Sequence, residues 1–371
     1  MKKTLILGGT RFIGYHLLQA LHEDGHNVTI FNRGITRHPG PLPPEIRRLR
    51  GDRDNPRDVE HLFRDDFDVV FDLSGFTPAQ IQPISQDHRA NIGHYIFCST
   101  PSVHKVPPPC PFNEKSPRSF TANTYGGDKA LAEDLLLTRH AQSGWPVTIV
   151  RPQGVFGPYD AHHAGFVFHR LLNSLPIPLR LGCNSRVNFL YVYDLVRAML
   201  SIMDNAASRG RVYCVAGDDV TSQSEFIGLC AQVCSRKPVL CSVDSAAYAE
   251  LKLSAPWLDH DLVADNSRIR KEMALEFTPL EAALGQTFSW LVCHPQHTGC
   301  YRVRAERYVL RNYPVPRYVK IFWQVVDAKV RLVNRLKRQR WLRHGRLRNL
   351  ILFLRRLGRN MRLMLRVGAT A

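Results

Sequence analysis

The sequence lacks the long apolar runs, paired cysteines and metal-ligand spacings that mark several specialised classes of protein. No run approaches the roughly 18 apolar residues of a membrane-spanning helix, and Gly8, Gly9 and Arg11 interrupt the apolar stretch after the two N-terminal lysines, so we expect neither a span nor a signal peptide. The nine cysteines are odd in number and scattered, as is usual for reduced thiols in the cytosol. We therefore expect a cytoplasmic protein. The Cys and His residues at 293–300 suit no common metal site, so we predict no metal.

Acidic residues are almost missing from one part of the chain. Residues 293–371 contain 20 Lys and Arg but only Glu306 and Asp327 as acids, whereas residues 1–292 contain 30 basic and 30 acidic residues. The formal net charge of +18 therefore belongs to a tail and predicts nothing about the partners of the rest of the chain.

The tail combines this charge with apolar residues at helical spacing. Apolar residues recur with a helical period within 318–336 and 347–365, and Arg and Lys fill the opposite faces. We predict a basic amphipathic helical tail over 292–371, of which 317–366 can lie on an anionic membrane surface such as an inner membrane face. Packing of the apolar faces onto the rest of the chain or onto a second subunit is an alternative. Nucleic acid is the least favoured partner, because phosphate contacts require no apolar face.

Short apolar runs alternate with longer amphipathic segments over the first 150 residues, the pattern of a parallel sheet built from βαβ units. The predicted strands are Thr4–Leu7, Val28–Phe31, Arg47–Arg50, Asp68–Leu73, His94–Cys98 and Val147–Val150, and the predicted helices are Phe12–Glu23, Pro56–Phe63, Pro78–Asn91 and Gly126–Gln142. The predicted fold class is α/β, a doubly wound parallel Rossmann sheet with a smaller C-terminal substrate lobe. We assign residues 1–160 to a dinucleotide-binding domain, to which the chain returns near 189–216, and residues 161–291 to the lobe.

A glycine-rich turn joins the first predicted strand to the first predicted helix. In LILGGTRFIG, Gly8 permits a tight turn, Gly14 allows close packing, and the helix N-terminus offers unpaired N–H groups to a pyrophosphate. Because the turn stands between a strand and a helix at the start of a βαβ unit, it indicates a dinucleotide site.

The end of the second predicted strand bears on the choice of cofactor. Asn32 replaces the carboxylate that would hold a ribose 2′-hydroxyl, and Arg33 and Arg11 are placed to clamp a 2′-phosphate. We therefore predict that NADP is preferred over NAD. Asp52 is placed to meet the adenine, and Leu73 and Ser74 the nicotinamide-side ribose. The full set of predicted cofactor contacts is Gly8, Thr10, Arg11, Phe12, Ile13, Gly14, Asn32, Arg33, Asp52, Arg53, Leu73, Ser74 and Lys129.

A tyrosine and a lysine four residues apart open the fourth predicted helix and therefore share one of its faces. The ordinary pKa of a Tyr side chain is about 10, and the ammonium of Lys129 together with an oxidised nicotinamide would favour the phenolate of Tyr125. Thr100, at the end of the fifth predicted strand, is placed to hold the substrate oxygen. We predict Thr100, Tyr125 and Lys129 as the catalytic group. Tyr248 and Lys252 have the same spacing, but no strand-end hydroxyl precedes them at a comparable distance.

These segments together make the chain resemble an extended short-chain dehydrogenase/reductase of the NAD-dependent epimerase/dehydratase family. The resemblance covers roughly residues 3–291 and rests on GGTRFIG, YIFCSTPSVH, YGGDKALAE, RPQGVFGP, SRVNFLYVYDLV and DNSRIRKEMALEFTPLEAAL. It implies the catalytic roles of Thr100, Tyr125 and Lys129, the first two also contacting substrate. It further implies that Arg186 contacts the diphosphate of a nucleotide sugar, and that the protein is a homodimer.

The chain departs from the family pattern in two segments that bear on chemistry. Arg11 replaces the middle glycine of the turn, as in a subgroup that includes chloroplast stem-loop RNA-binding proteins; those relatives have lost the tyrosine that this chain keeps. Pro101 and Ser102 follow Thr100 where the 4,6-dehydratases carry Asp and Glu, so we expect no elimination of water. The tail has no counterpart in the family.

The predicted function is NAD(P)-dependent oxidation, reduction or epimerisation at a hydroxyl or keto group of a nucleotide sugar. Within the same class, the substrate could be a lipid-like or polyketide alcohol at a membrane surface, which the tail would suit. From another class, the protein could be an RNA-binding protein on a dehydrogenase fold. The complete set of Thr100, Tyr125 and Lys129 favours the enzyme.

Co-sedimentation with liposomes tests the predicted tail. Each basic residue near an anionic surface contributes about 1 kcal/mol, so the full chain should sediment with anionic liposomes and not with neutral ones. A version that ends at Leu291 should stay in the supernatant with both. If the full chain also stays in the supernatant with anionic liposomes, the membrane prediction is wrong.

Overall fold

The computed structural model describes residues 1–297 apart from 37, 87–91, 161 and 245–259, together with the single positions 324 and 328. Nearly all of the predicted tail, the end of the predicted third helix, and the pair Tyr248 and Lys252 lie outside the described residues. Within the described ranges, no helix is long and apolar enough to cross a membrane. The same ranges hold no group of three or more His, Cys, Asp or Glu residues arranged to bind a metal ion.

A parallel sheet forms the centre of the fold. Its strands are β1 (Lys3–Leu7), β2 (Asn27–Asn32), β3 (Arg47–Arg50), β4 (Val69–Asp72), β5 (Tyr95–Cys98), β6 (Val147–Pro152) and β11 (Val212–Val215). Their spatial order is β11-β6-β5-β4-β1-β2-β3, which confirms the predicted doubly wound Rossmann sheet. The strand order reverses between β1 and β4, and ligands of such sheets bind at the carboxyl edge near this point.

Helices cover both faces of this sheet. On one face, α1 (Phe12–Glu23) and α6 (Val192–Asp204) bury apolar side chains such as Leu17 and Leu195 in a shared core. The other face is covered by α2 (Pro56–Leu62), α3 (Pro78–Gln86) and α4 (Tyr125–Ser143). Apart from the end of α3, where the predicted end Asn91 lies outside the described residues, the ends of these strands and helices differ from the predicted ends by no more than two residues, because their apolar spacing sets which residues are buried.

Further elements follow the sixth strand. They are β7 (Val155–Phe156), α5 (Ala164–Leu172), β8 (Ile177–Arg180), β9 (Arg186–Asn188), β10 (Leu190–Tyr191), β12 (Val220–Ser222), α7 (Gln223–Val233), β13 (Leu240–Val243), α8 (Ser267–Met273) and α9 (Leu280–Cys293). The strands form three two-stranded sheets, β10-β7, β12-β9 and β13-β8. Between these elements the chain returns to the central sheet, because β11 pairs with β6 in parallel. The boundaries at 160 and 291 stay predictions.

A buried ion pair holds α4 on the sheet. Arg151, on β6, donates from Nε to Glu133 Oε1 at 2.9 Å and from Nη2 to Oε2 at 2.6 Å, and neither side chain is more than 1% exposed. Arg118 donates a further bond to Glu133 Oε2 at 3.2 Å. Burial alone would lower the pKa of Arg151, but Glu133 raises it above its ordinary value, so the guanidinium stays charged. Glu133 lies one turn beyond Lys129, so the pair fixes the helix face that carries Lys129.

Candidate active site

The turn between β1 and α1 has the geometry that its glycines predict. Gly8 has φ +112° and Gly9 has φ +73°, a region that L side chains rarely adopt. A Cβ on Gly14 would lie 2.7 Å from the Cα of Gly9, so only glycine lets the helix pack against its own turn. The N-cap residue, Arg11, makes no side-chain bond to the first helical turn. The remaining predicted contacts of this segment are all partly buried: Thr10, Phe12 and Ile13.

This turn fits the pyrophosphate of a dinucleotide. The first N–H groups of a helix have no partner within the helix, and no side chain caps them here. Together with the positive end of the helix dipole, they form a site for a phosphate anion. The glycines remove the side chains that would keep a ligand away from the backbone.

Asn32 braces the turn from the end of β2. Its Nδ2 donates to the carbonyl oxygen of Gly8 at 3.3 Å, and its Oδ1 accepts from the backbone N of Gly34 at 2.9 Å. Arg33 is exposed, and its carbonyl oxygen accepts from Arg50 Nε at 3.1 Å. A second guanidinium, which the sequence analysis does not predict, therefore lies beside the Arg33 segment. The carboxyl end of β2 therefore carries positive charge. The uncharged amide of Asn32 stands where a carboxylate would hold a ribose 2′-hydroxyl.

Arg53 points into the protein and joins the segments that follow β3 and β4. It donates to Asp72 from Nη1 at 2.7 Å and from Nη2 at 2.9 Å, and it also bonds to Ser74 Oγ at 3.0 Å and to the carbonyl oxygen of Gln80 at 3.2 Å. Asp72 also accepts the hydroxyl of Tyr95. Burial alone would raise the pKa of Asp72, but Arg53 and Tyr95 hold it at about 2. The contact of Arg53 with a cofactor stays a prediction.

Three further predicted cofactor residues lie around this network. A Cβ on Gly8 would lie 3.5 Å from the Cβ of Ser74, and a Cβ on Gly14 would lie 3.1 Å from Leu73 Cδ1. The structure therefore brings Leu73 and Ser74 against the glycine turn. Asp52 accepts at Oδ1 from the backbone N of Asp54 at 3.1 Å, so its carboxylate shapes the turn after β3.

Two glycines place the start of α4 beside Thr100. A Cβ on Gly126 would lie 1.9 Å from the carbonyl oxygen of Ser102, and a Cβ on Gly127 would lie 1.9 Å from the carbonyl oxygen of Thr121. Ser102 belongs to the 3₁₀ turn 101–103 that directly follows Thr100. Only glycine permits this approach, so the YGG sequence brings the helix that begins at Tyr125 next to the strand-end hydroxyl.

The three predicted catalytic residues differ in their surroundings. Thr100 is buried, whereas Tyr125 is 55% exposed. Burial of the remaining part raises the pKa of Tyr125, and a hydrogen bond with the side chain of Thr100 opposes this shift. Lys129 is 2% exposed, and its Nζ donates to the carbonyl oxygen of Cys98 at 2.6 Å. Burial lowers the pKa of Lys129, although interactions with Cys98 and with the carboxylate of Asp72 oppose this shift.

In the chain without a cofactor, the net shift of the Tyr125 pKa is upward, because partial removal from water disfavours the phenolate. The predicted lowering of this pKa by Lys129 together with an oxidised nicotinamide concerns the cofactor-bound protein and stays a prediction.

Phe76 belongs to this site and is not predicted by the sequence analysis. Its ring centroid lies 6.0 Å from that of Tyr125, and the Nζ of Lys129 lies 5.0 Å from it. The available signal is its position in LSGF, an aromatic residue directly after a glycine in a strand-end segment. An isolated Phe at this position is also typical of an ordinary core residue. The sequence therefore does not distinguish a site residue from a core residue here.

Arg186 lies apart from this group, on β9. Among the described residues its side chain bonds to Asp261 Oδ2, at 3.1 Å from Nε and 2.8 Å from Nη2. Its backbone N donates to Asp261 Oδ1 at 2.8 Å. The pair is exposed, the two side chains being 58% and 28% accessible. The predicted contact with a diphosphate stays a prediction, and an anion would have to replace the carboxylate.

The arrangement can hold a substrate oxygen and exchange a proton with it. Tyr125 presents a half-exposed phenol beside the hydroxyl of Thr100, and Lys129 supplies a buried positive charge one helical turn away. All three lie at the carboxyl edge of the sheet, where the glycine turn offers its site for a dinucleotide.

Comparison with known proteins agrees with this geometry. Residues 4–216 match the model of the family described as "NAD dependent epimerase/dehydratase family". The chain is 30% identical over 247 residues to the chloroplast stem-loop binding protein of 41 kDa b of Arabidopsis thaliana. The match covers 62% of this chain and 63% of that protein. The chain therefore spans less than two thirds of that relative's length. It is 26% identical over 243 residues to the dTDP-D-glucose 4,6-dehydratase of Homo sapiens, covering 57% of this chain and 68% of that enzyme.

The fold is also similar to a crystal structure of dTDP-glucose 4,6-dehydratase from Bacillus anthracis in complex with NAD. The TM-score is 0.68 at 16% identity, and the match covers 79% of this chain and 97% of that one. At this identity the likeness shows the fold alone.

Substitution of Gly126 by alanine tests the close approach of α4 to the turn after Thr100. A Cβ at this position must displace the carbonyl of Ser102, and such overpacking costs about 1–3 kcal/mol. Gly126→Ala should therefore lower the free energy of unfolding in urea by that amount. Gly228→Ala, in α7 where a Cβ meets nothing within 4 Å, is the control and should stabilise the chain by up to about 1 kcal/mol. Equal stability of the two variants would contradict the geometry.

Proposed function

The chain belongs to the NAD-dependent epimerase/dehydratase family, and on that premise we propose that it is an NAD(P)-dependent oxidoreductase or epimerase of a nucleotide sugar. The observation that supports the proposal is that Thr100, Tyr125 and Lys129 lie together at the edge of the sheet that also carries the glycine turn after β1. The dTDP-D-glucose 4,6-dehydratase among the relatives acts on a nucleotide sugar by its name, which supports this substrate class.

Each of the three side chains has a distinct task in this proposal. When bound, the nicotinamide supplies an acceptor or donor of hydride at the carbon that carries the reacting oxygen. Tyr125 gives a proton to that oxygen or takes one from it, because its half-exposed phenol stands beside Thr100. Thr100 holds the same oxygen by a hydrogen bond. Lys129 contacts the nicotinamide-side ribose and adds positive charge near the phenol.

The direction of the Tyr125 shift decides which form of the phenol is present at neutral pH. Burial raises its pKa above the ordinary value, so the phenol is protonated and ready to act as the acid when a keto group is reduced. For oxidation of a hydroxyl, the phenol must first lose its proton. Positive charge on Lys129 and on the oxidised nicotinamide favours that loss.

We also propose that the reaction does not proceed to loss of water. Elimination needs an acid and a base near the carbon next to the keto group, and the dehydratase pattern carries them directly after the catalytic threonine. Here Pro101 and Ser102 occupy those positions in a 3₁₀ turn. Neither side chain has a pKa suited to proton transfer near neutral pH.

The preference for NADP is a further part of the proposal. The side chain of Asn32 is an uncharged amide, so it does not repel a 2′-phosphate. It forms hydrogen bonds with backbone groups of the turn. Arg33 is exposed on the same edge, and the guanidinium of Arg50 lies beside it. Binding of NAD by the same site is the alternative.

RNA binding is a second candidate function. It is favoured by the 30% identity to a chloroplast protein whose name describes stem-loop binding, and by the 20 basic residues of the tail. A lipid-like or polyketide alcohol is the alternative substrate within the dehydrogenase class. The substrates to be assayed therefore include nucleotide sugars, sterol-like alcohols and polyketide alcohols. Binding of an RNA stem-loop is measured separately in a gel-shift assay.

Substitution of Tyr125 by phenylalanine tests the proposed chemistry. Loss of a general acid–base group lowers a rate by about 10²–10⁴-fold, so Tyr125→Phe should lose turnover by that factor while its affinity for the cofactor persists. Turnover is followed by the absorbance of the reduced nicotinamide where the reaction is a net oxidation or reduction, and by chromatography of the sugar product where it is an epimerisation. Tyr193→Phe, a second exposed tyrosine at 43% accessibility, is the control and should keep full turnover. Full turnover by Tyr125→Phe, or RNA binding without turnover of any alcohol by the wild type, would contradict the proposal.

Calorimetric titration with NADP and NAD tests the proposed preference. A charge-assisted hydrogen bond contributes about 1.5–3 kcal/mol, so Arg33→Ala should weaken NADP binding by up to that amount and leave NAD binding nearly unchanged. Arg47→Ala is the control, because Arg47 lies at the start of β3, at the other end of the strand from Arg50, and pairs with Asp65. Equal affinities of the wild type for the two cofactors, or tighter binding of NAD, would show that the preference is wrong.

A further inference from the structure

The ammonium of Lys129 lies between two aromatic rings. Its Nζ is 4.5 Å from the ring centroid of Phe97 and 5.0 Å from that of Phe76. A cation within about 6 Å of a ring face is attracted by the negative face of the π system. The same Nζ donates to the carbonyl oxygen of Cys98 at 2.6 Å. Three neighbours therefore define the position of this ammonium.

The two rings differ in what else they do. Phe97 is fully buried on β5 and belongs to the apolar core beneath α4, so core packing alone explains it. Phe76 is 43% exposed and adds little to that core. Its ring contacts are with the Lys129 ammonium and with the ring of Tyr125. Phe76 therefore separates Lys129 from solvent on the side where Tyr125 stands.

The backbone around Phe76 is fixed by hydrogen bonds. The backbone N of Phe76 donates to Gln80 Oε1 at 2.8 Å, and the backbone N of Gly75 donates to Asp72 Oδ1 at 2.8 Å. A Cβ on Gly75 would lie 2.6 Å from Asp72 Oδ2, so glycine is required for this path. Arg53 binds Asp72 and the carbonyl of Gln80. Both ends of the segment are therefore held, and the ring is presented to Lys129 by the fold.

We propose that Phe76 is a positioning residue that, with Phe97, forms an aromatic cage for the ammonium of Lys129 and holds it on the Cys98 carbonyl before a cofactor binds. A lysine side chain free in a cleft samples many rotamers, and ordering them on binding costs affinity. The cage removes that cost and leaves donors of the ammonium for the nicotinamide-side ribose. The effect on catalysis rests on the proposed function, whereas the cage itself does not.

Nuclear magnetic resonance of the cofactor-free protein tests the cage directly. Protons above the face of an aromatic ring are shielded, so the CεH₂ protons of Lys129 should resonate upfield of those of the other lysines in a sample with labelled lysine. Lys129→Met assigns the signal by removing it. Phe76→Leu should move the signal downfield, and Phe76→Tyr, which keeps the ring, should leave it upfield. A Lys129 signal at the same position in wild type and Phe76→Leu would overturn the proposal.

Titration with reduced cofactor measures the consequence for binding. Phe76→Leu should weaken binding about tenfold, in keeping with the strength of a partly desolvated cation–π contact, and Phe76→Tyr should bind like the wild type. Phe120→Leu is the matched control, since Phe120 is 46% exposed and lies 4.9 Å from the guanidinium of Arg118. It should leave the affinity unchanged.

Failure of the cage and failure of the proposed function give different results. An unchanged Lys129 signal in Phe76→Leu overturns the cage, and an unchanged affinity for the reduced cofactor overturns its role in positioning Lys129, even if the wild type is an active enzyme. A wild type that turns over no substrate, or binds no cofactor, removes the proposed function, while the signal of Lys129 still decides whether the cage exists.

Discussion

The buried pair of Glu133 and Arg151 is the interaction on which the site depends. Glu133 lies four residues after Lys129 and eight after Tyr125, so its bonds to β6 determine how α4 is rotated above the sheet. A pair of this kind gains little over an apolar contact, but loss of one partner leaves an uncompensated charge and costs about 3–5 kcal/mol. The pair therefore acts mainly by excluding other rotations of α4. Arg118 adds a second cation to the same carboxylate, which ties the segment before the helix to it.

A second buried carboxylate plays a comparable part at the end of β4. Asp72 collects Arg53, Tyr95 and two backbone N–H groups, and thereby orders the segment that carries Ser74 and Phe76. Its pKa in the folded chain, about 2, is below the ordinary value of 3.8. A depressed carboxyl pKa contributes stability that is fully present above the unfolded value. This contribution is lost as the pH falls from about 4 toward 2, so the site keeps its order across the neutral range.

The sequence predicts the strands, helices and glycine turn well because each depends on local spacing, as in Leu17 and Leu18 of α1 or Gly8 and Gly14. It predicts that Thr100, Tyr125 and Lys129 belong together, since β5 ends and α4 begins at the same edge of the parallel sheet. The sequence does not predict which way the side chain of Arg53 points. Its partner, Asp72, is 19 residues further along the chain, at the end of β4. The sequence also misses Phe76 and the upward shift of the Tyr125 pKa, because both follow from packing between segments that only the folded chain brings together.

The exposed pair of Arg186 and Asp261 places a competing anion on the guanidinium. Asp261 is a resident counterion, and its pKa is lowered first by the side chain of Arg186, so it remains charged near neutral pH. An incoming phosphate competes with a carboxylate rather than with water alone. The affinity of Arg186 for any anion is thus a difference between two attractions to one guanidinium.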